Sequence, residues 1–166
     1  MTFRAVRVLR DVDRIACEDT RVTRRLCDHF NIDTPLIRHE AHNEAASTEG
    51  IIALLARGET LALVSDAGTP CINDPGQRLI SAAIAANHAV IPLPGSSALL
   101  VALSGSGLPT EHFSFHGFVP KKAHAWRTRL STLTPGTHAF FCPARDLPSA
   151  AHPIAELRGD AQVVIA

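Results

Sequence analysis

Two hydrophobic periods alternate along this chain. Apolar residues that recur every three or four positions predict helices at 4–12, 23–30, around 51–55, 76–86, 97–104, 123–133 and 148–157. Short apolar or alternating runs predict strands between them, at 14–17, 35–38, 61–64, 90–93, 113–119, 138–142 and 162–166. Helices that alternate with strands in this way favour an α/β fold, with a mainly parallel sheet and helices on its faces.

The composition is that of a globular chain. With 166 residues, of which 46% are apolar, it has room for one good-sized core, or for one domain and part of a second. No apolar run reaches membrane-spanning length. The four cysteines include no CxxC pair, which argues against a zinc site or a disulfide framework. We therefore expect reduced thiols in a cytoplasmic protein.

The charges of the chain balance. Sixteen basic and sixteen acidic residues argue against a protein that grips nucleic acid through its overall charge, but leave room for a local basic face. All the basic residues except Lys121 and Lys122 are arginines, which suit bidentate contacts with phosphate. Apart from His42, the histidines show no metal-ligand spacing, so we expect no metal site.

The loop 65–70 has the composition of a ligand-binding loop. It joins a predicted strand to a predicted helix, where Gly68 lets a bound group approach the backbone and Asp66 offers a carboxylate. Downstream, Asp74 can cap the next helix, with Pro75 at the first helical position. These residues alone fit a ligand loop and an ordinary capped connection equally well.

Four segments, in order, resemble one enzyme family. They are Cys17-Glu18-Asp19-Thr20-Arg21 with Thr23; His42-Asn43-Glu44; Val64-Ser65-Asp66-Ala67-Gly68-Thr69-Pro70 with Asp74-Pro75-Gly76; and Pro92-Leu93-Pro94-Gly95 with Ser97-Ala98 and, downstream, Leu103-Ser104-Gly105-Ser106-Gly107-Leu108-Pro109. The chain resembles the bacterial 16S ribosomal RNA (cytidine 2′-O)-methyltransferases, which have the tetrapyrrole-methylase fold. The resemblance is strong over about 2–120 and weaker beyond. It implies S-adenosylmethionine as the methyl donor, 16S RNA in the small ribosomal subunit as the acceptor, and a homodimer.

The resemblance also implies two α/β domains, which we place at 1–119 and 120–166, with S-adenosylmethionine at their junction. Family members begin with a further strand and a glycine-containing loop and continue well beyond the position of Ala166. We therefore expect this chain to be truncated at both ends. Its segment 142–146 matches the family poorly, and Ser96 stands where a proline is common.

The resemblance implies a role for each candidate site residue. The implied cofactor-binding residues are Asp66, Ala67, Gly68, Thr69, Pro70, Pro94, Gly95, Ser97 and Ala98. The implied catalytic residues are Glu18, Asp19, Arg21 and His42. The implied substrate-binding residues are Thr20, Asn43 and Glu44. A ribose hydroxyl is a weak acid, so a carboxylate or histidine that accepts its proton assists attack, and Arg21 can hold a neighbouring phosphate.

Local structure gives a second interpretation of the same residues. Asp19 or Thr20 can cap the following helix, and Arg21 can pair with Glu18 at the surface. Asn43 can likewise cap a helix that has Glu44 in its first turn. The residues alone do not decide between these structural roles and the functional ones.

Other functions also stay open. One alternative is a methyltransferase that acts on a tetrapyrrole carbon, and another is an inactive fragment of the RNA enzyme. Trp126, with Arg127 and Arg129, fits either an RNA-stacking surface or a core anchor, and its helical spacing favours the core anchor.

Overall fold

The computed structural model describes three stretches of the chain, 1–72, 74–95 and 97–166. At Ala41 it describes the backbone alone. Asn73 and Ser96, which both belong to the motifs singled out above, lie outside the described residues. None of the helices in the described stretches is long and apolar enough to cross a membrane.

The chain divides into two compact units, Met1–Glu111 (unit 1) and His112–Ala166 (unit 2). This division falls earlier than the predicted one between 119 and 120. The difference lies in the strand that begins at Phe113, which pairs with a second strand of unit 2 and therefore belongs to that unit.

A three-stranded parallel sheet forms the centre of unit 1. Its strands are β1 (Arg14–Cys17), β2 (Leu36–Arg38) and β3 (Leu61–Val64), in the order β2-β1-β3. Cys17 at the end of β1 lies opposite Arg38 in β2 and Val64 in β3. The carboxyl ends of all three strands therefore meet at one edge of the sheet, where ligands bind in open α/β sheets.

Helices cover both faces of this sheet. The described part of unit 1 has α1 (Phe3–Asp11), α2 (Thr20–His29), α3 (Glu44–Ala56), α4 (Gln77–Ala85) and α5 (Ala98–Ser106). On one face Ile15 packs with Leu9 of α1 and Cys27 of α2. On the other face Ala16 packs with Ile51 of α3 and Leu79 of α4. Successive strand residues point to opposite faces, so β1 is buried from both sides and the predicted α/β fold is confirmed.

Unit 2 pairs two parallel strands, β4 (Phe113–Phe118) and β5 (Thr137–Phe141), with two helices, α6 (Ala123–Ser131) and α7 (Leu147–Leu157). Trp126 of α6 is only 3% exposed, and its indole N–H donates to the carbonyl of Ala150 in α7 at 2.9 Å. The interpretation of Trp126 as a core anchor is therefore confirmed. A buried indole needs such a partner for its N–H, and the hydrogen bond fixes α6 against α7.

Two of the predicted strands are wrong. The segment 90–93 has no regular secondary structure, and 162–166 is exposed and not part of a sheet. An apolar run becomes a strand only where a neighbouring strand accepts and donates its backbone hydrogen bonds. Within the described residues the two sheets consist of β1 to β3 and of β4 with β5, and neither pairs with these segments.

Asp13 ties the start of β1 to the start of β3. Its carboxylate accepts the backbone N–H of Thr60 at 2.7 Å and the Thr60 hydroxyl at 2.8 Å. These two hydrogen bonds lower the pKa of Asp13 below its ordinary value. A carboxyl group whose pKa is lowered in the folded state stabilises the fold above its ordinary pKa, and this contribution is lost as the pH falls through the folded value.

We therefore expect Asp13→Asn to reduce the loss of stability between neutral and acidic pH. Urea unfolding of the variant and the wild type at pH 7 and pH 3 measures this difference directly. The exposed Asp28 provides the matched control, Asp28→Asn, for which we expect the pH dependence of the wild type. An equal loss of stability in the wild type and Asp13→Asn would show that the Thr60 contact does not contribute to acid unfolding.

Candidate functional site

The first and third predicted motifs meet at the carboxyl edge of the sheet. β1 and β3 are neighbours, and the segments that follow them are joined by a hydrogen bond from the backbone N–H of Asp19 to Oδ1 of Asp66 at 3.3 Å. Ser65 closes the second segment by donating its hydroxyl to the carbonyl of Ala67 at 3.1 Å. The structure therefore brings together two motifs that lie far apart in the sequence.

Both carboxylate oxygens of Asp19 accept hydrogen bonds from Arg21. As the N-cap of α2, which begins at Thr20, it accepts the backbone N–H of Arg21 at 2.8 Å. It also accepts the guanidinium of Arg21, with Nη2 and Oδ2 at 2.6 Å. These contacts with Arg21 hold the pKa of Asp19 well below its ordinary value. The predicted cap is confirmed, but the predicted pair of Arg21 with Glu18 is wrong, because Asp19 is the residue that engages the guanidinium.

Glu18 lies half-buried next to Asp19, but its pKa is shifted in the opposite direction. Burial raises its pKa above the ordinary value, and the carboxylates of Asp66, Asp74 and Glu40 raise it further. A carboxylate surrounded in this way gains more from accepting a proton than an exposed one does. Of the two acids at the end of β1, Glu18 is therefore the stronger base.

The second motif follows β2 and is divided between the surface and the interior. His42 and Asn43 are exposed in a short 3₁₀ helix, Ala41–Asn43. Asn43 occupies the N-cap position of α3, but its side chain makes no capping hydrogen bond, so the predicted cap is wrong. Glu44 is half-buried, and its Oε1 accepts the backbone N–H of Gly76 at 3.0 Å. Among the described side chains of this motif, only that of Glu44 therefore makes a hydrogen bond to the third motif.

The β3–α4 loop, described at 65–72 and 74–76, contains five of the predicted cofactor-binding residues. Three of them, Asp66, Ala67 and Gly68, are exposed, whereas Thr69 and Pro70 are half-buried. The backbone at Gly68 has a φ of +82°, and a Cβ there would lie 3.6 Å from Oδ2 of Asp74. This conformation favours glycine, and the open side of the residue leaves its backbone accessible to a bound group.

The start of α4 differs from the prediction. Gly76 occupies the N-cap position with a φ of +125°, and the helix begins at Gln77. Asp74 therefore does not cap α4, and Pro75 lies before the helix instead of at its first position. A cap at Asp74 would accept the backbone N–H of Gly76. In the structure the side chain of Glu44 accepts this N–H instead.

The fourth motif leads into α5 and contains the N-cap and the first residue of this helix. Pro94 and Gly95 are exposed, Ser97 caps the helix by accepting the backbone N–H of Leu100 at 3.4 Å, and Ala98 is the first helical residue. At the other end of α5, the carbonyl of Gly107 accepts the Ser81 hydroxyl of α4 at 2.8 Å. This contact lies at the opposite end of α5 from the motif at 94–98, and within the described residues no hydrogen bond joins that motif itself to the β3–α4 loop.

His39 and Cys71 lie beside these motifs and were not predicted as site residues. His39 follows β2 and is 1% exposed, and burial lowers its pKa. Cys71 lies in the β3–α4 loop, and its burial, together with nearby Glu44 and Asp74, raises the pKa of the thiol to about 12. Both positions follow strands that end at the same edge, which is the one sequence signal that points to them. No group of three or more His, Cys, Asp or Glu among the described side chains is arranged to hold a metal ion.

Comparison with known proteins agrees with this architecture. The family model of the Tetrapyrrole (Corrin/Porphyrin) Methylases matches residues 1–166. Three curated relatives are each named Ribosomal RNA small subunit methyltransferase I. The protein of Xylella fastidiosa is 51% identical over 159 residues, which are 95% of this chain and 56% of the relative. That of Pseudomonas aeruginosa is 46% identical over 166 residues, 98% of this chain and 59% of the relative.

The third relative, from Micromonospora olivasterospora, is 43% identical over 168 residues, which are 100% of this chain and 54% of the relative. The chain spans about half the length of the curated relatives it matches. The resemblance drawn from the four motifs is thereby confirmed. This chain belongs to the tetrapyrrole methylase family.

Proposed function

We propose that this chain takes part in the S-adenosylmethionine-dependent methylation of a cytidine 2′-hydroxyl in small-subunit ribosomal RNA. The observation that carries the proposal is the hydrogen bond between Asp19 and Asp66, which puts the acidic motif after β1 beside the β3–α4 loop. The names of the relatives favour ribosomal RNA over a tetrapyrrole as the acceptor. The small ribosomal subunit is the partner we propose, and a homodimer stays a prediction from the family.

The residues of the β3–α4 loop fit a methyl donor of this class. Ala67 and Gly68 are small and exposed, so their backbone groups are open to a ligand. Asp66 and Asp74 provide negative charge that suits a donor with a sulfonium and an ammonium group. When bound, S-adenosylmethionine supplies a methyl group that the ribose oxygen attacks. The residues of the β3–α4 loop and of the motif at 94–98 would hold the donor, and orienting it toward the ribose oxygen would lower the barrier.

Glu18 accepts the proton that the ribose oxygen loses in this reaction. It is the acid at this edge with a raised pKa, whereas the guanidinium of Arg21 holds Asp19 in its ionised form. A base that accepts a proton in the transition state must have its lone pair available, and Asp19 already uses its carboxylate oxygens on Arg21. Arg21, whose side chain is 82% exposed, is positioned by Asp19 to contact a phosphate next to the cytidine.

Binding of the donor is tested first with Gly68→Trp. The indole fills the open space over the loop, so we expect the affinity for labelled S-adenosylmethionine to fall at least about tenfold, close to 1.4 kcal/mol. Gly58→Trp is the matched control, because Gly58 also has a positive φ, of +87°, and open space around its Cβ, but lies after α3. Unchanged affinity in Gly68→Trp would place the donor elsewhere.

The reaction itself is tested with small ribosomal subunits that lack the methyl group. We expect the chain to transfer labelled methyl groups to a cytidine 2′-hydroxyl of their RNA. Transfer to a tetrapyrrole instead of RNA would favour the alternative acceptor. Binding of S-adenosylmethionine without any transfer would identify the chain as an inactive fragment of the RNA enzyme, and would contradict the proposed function.

A further inference from the structure

Glu44 connects two motifs that the proposed function uses. It is the first residue of α3, and its Oε1 accepts the backbone N–H of Gly76, the residue at which the β3–α4 loop ends. This N–H belongs to a buried residue at a helix N-terminus, where a donor has no partner inside its own helix. Glu44 is the acceptor that the structure gives it, so the carboxylate holds the far end of the loop.

His39 lies buried beside Glu44. The Ser47 hydroxyl donates to the carbonyls of Asn43 and Glu44, at 2.9 and 3.2 Å, so it accepts a hydrogen bond from Nδ1 of His39 at 2.8 Å. This network assigns the proton to Nδ1 and leaves a lone pair on Nε2. Nε2 is buried, has no hydrogen-bond partner and lies 3.8 Å from Oε1 of Glu44. The imidazole therefore packs beside the carboxylate but gives it no hydrogen bond.

The loop has little freedom once Gly76 is held. A Cβ on Gly76 would lie 2.6 Å from Cδ2 of Leu63 and 3.2 Å from Sγ of Cys71, so the backbone is pressed against β3 and against the loop itself. The carbonyl of Cys71 accepts the hydroxyl of Thr110, which fixes the middle of the loop. Glu44 thus completes a set of contacts that determine where the exposed half of the loop lies.

We propose that Glu44 is a positioning residue, which holds the β3–α4 loop in its ligand-binding conformation through the N–H of Gly76. This differs from the predicted role of Glu44 as a contact to the RNA substrate. The effect on ligand binding rests on the proposed function of the loop, whereas the effect on the conformation of the loop does not. The two can therefore be measured separately.

The experiment compares Glu44→Ala and Glu44→Gln with Glu49→Ala, an exposed glutamate on the same helix. Amide hydrogen exchange in the unliganded chain reports on the Gly76 N–H, and titration with S-adenosylmethionine reports on the loop as a site. In Glu44→Ala we expect faster exchange at Gly76 and about tenfold weaker binding. Glu44→Gln keeps an oxygen acceptor and restores both properties, and Glu49→Ala matches the wild type.

A third measurement separates positioning from substrate contact. We expect the affinity of Glu44→Ala for small-subunit RNA to equal that of the wild type. Weaker RNA binding with unchanged S-adenosylmethionine affinity would overturn the proposal and return Glu44 to the substrate, as would unchanged exchange at Gly76. If Glu44→Ala does not fold by circular dichroism, Glu44→Asp, which keeps the charge and shortens its reach, takes its place. A wild type that does not bind S-adenosylmethionine contradicts the proposed function, and the exchange data still decide whether Glu44 holds the loop.

Discussion

Replacing Gly76 by valine will lower the free energy of unfolding of unit 1 by about 3 to 4 kcal/mol, one of the largest effects a single substitution has. A residue with a Cβ at a φ of +125° is strained whatever space surrounds it. The added Cβ also meets Leu63 and Cys71, and the branched methyl groups of valine add to this crowding. Both contributions act in the folded state, so the variant unfolds at lower denaturant concentration.

Gly50→Ala is the matched control for this measurement. Gly50 lies inside α3 with no atom within 4 Å of its Cβ position, so alanine there adds about 0.5 to 1 kcal/mol of helix stability. Unfolding in urea is followed by far-ultraviolet circular dichroism, and the fluorescence of Trp126 follows unit 2 separately. A Gly76→Val variant as stable as the wild type would show that Gly76 does not require its glycine conformation.

The regular elements around the sheet were predictable because their signals are local. The strands at 14–17 and 61–64 are apolar runs bounded by charged and turn residues, and the structure places them at the predicted positions. The runs at 90–93 and 162–166 look alike in sequence but do not form strands. What separates the two cases is a pairing partner, and pairing is set by residues far away in the chain.

The segments that form the site were predictable, but the contacts of their side chains were not. Asp19 and Asp66 belong to two of the predicted motifs, and only the structure shows that a hydrogen bond joins them. Local capping rules were right for Asp19 but wrong for Asn43 and Asp74. The acceptor at the start of α4 is Glu44, and no rule based on neighbouring residues leads from Gly76 to it.

Neighbouring acids at this edge differ because of contacts that the sequence does not show. Both Glu18 and Asp19 follow β1, and Arg21 can reach either one in an extended chain. In the structure the backbone N–H and the guanidinium of Arg21 both turn to Asp19. Glu18 is left among other carboxylates, with its pKa raised, so the two acids have opposite protonation behaviour.

Glu18→Gln is therefore expected to lower the rate of methyl transfer by about 10²-fold to 10⁴-fold, the range of a lost general base. The amide keeps the shape of the side chain but does not accept the proton of the ribose hydroxyl.

The same substitution, Glu18→Gln, is expected to stabilise the fold at neutral pH. A carboxyl group whose pKa is raised in the folded state stabilises the fold below its ordinary pKa and loses that contribution as the pH rises through the folded value. A permanently neutral glutamine avoids this loss, so at pH 7 the variant is more stable by about 0.5 kcal/mol, the scale of exposed charge interactions.

The pH profile of the wild type gives the sharpest form of this test. Methyl transfer should rise with pH through an acid limb that lies above the ordinary glutamate pKa, because only ionised Glu18 accepts the proton. The limb should be absent from the residual rate of Glu18→Gln. Glu59→Gln is the control, because Glu59 pairs with Arg14 at the opposite edge of the same sheet, and its rate should match the wild type. A Glu18→Gln variant that keeps the wild-type rate and the acid limb would assign the proton to another acceptor.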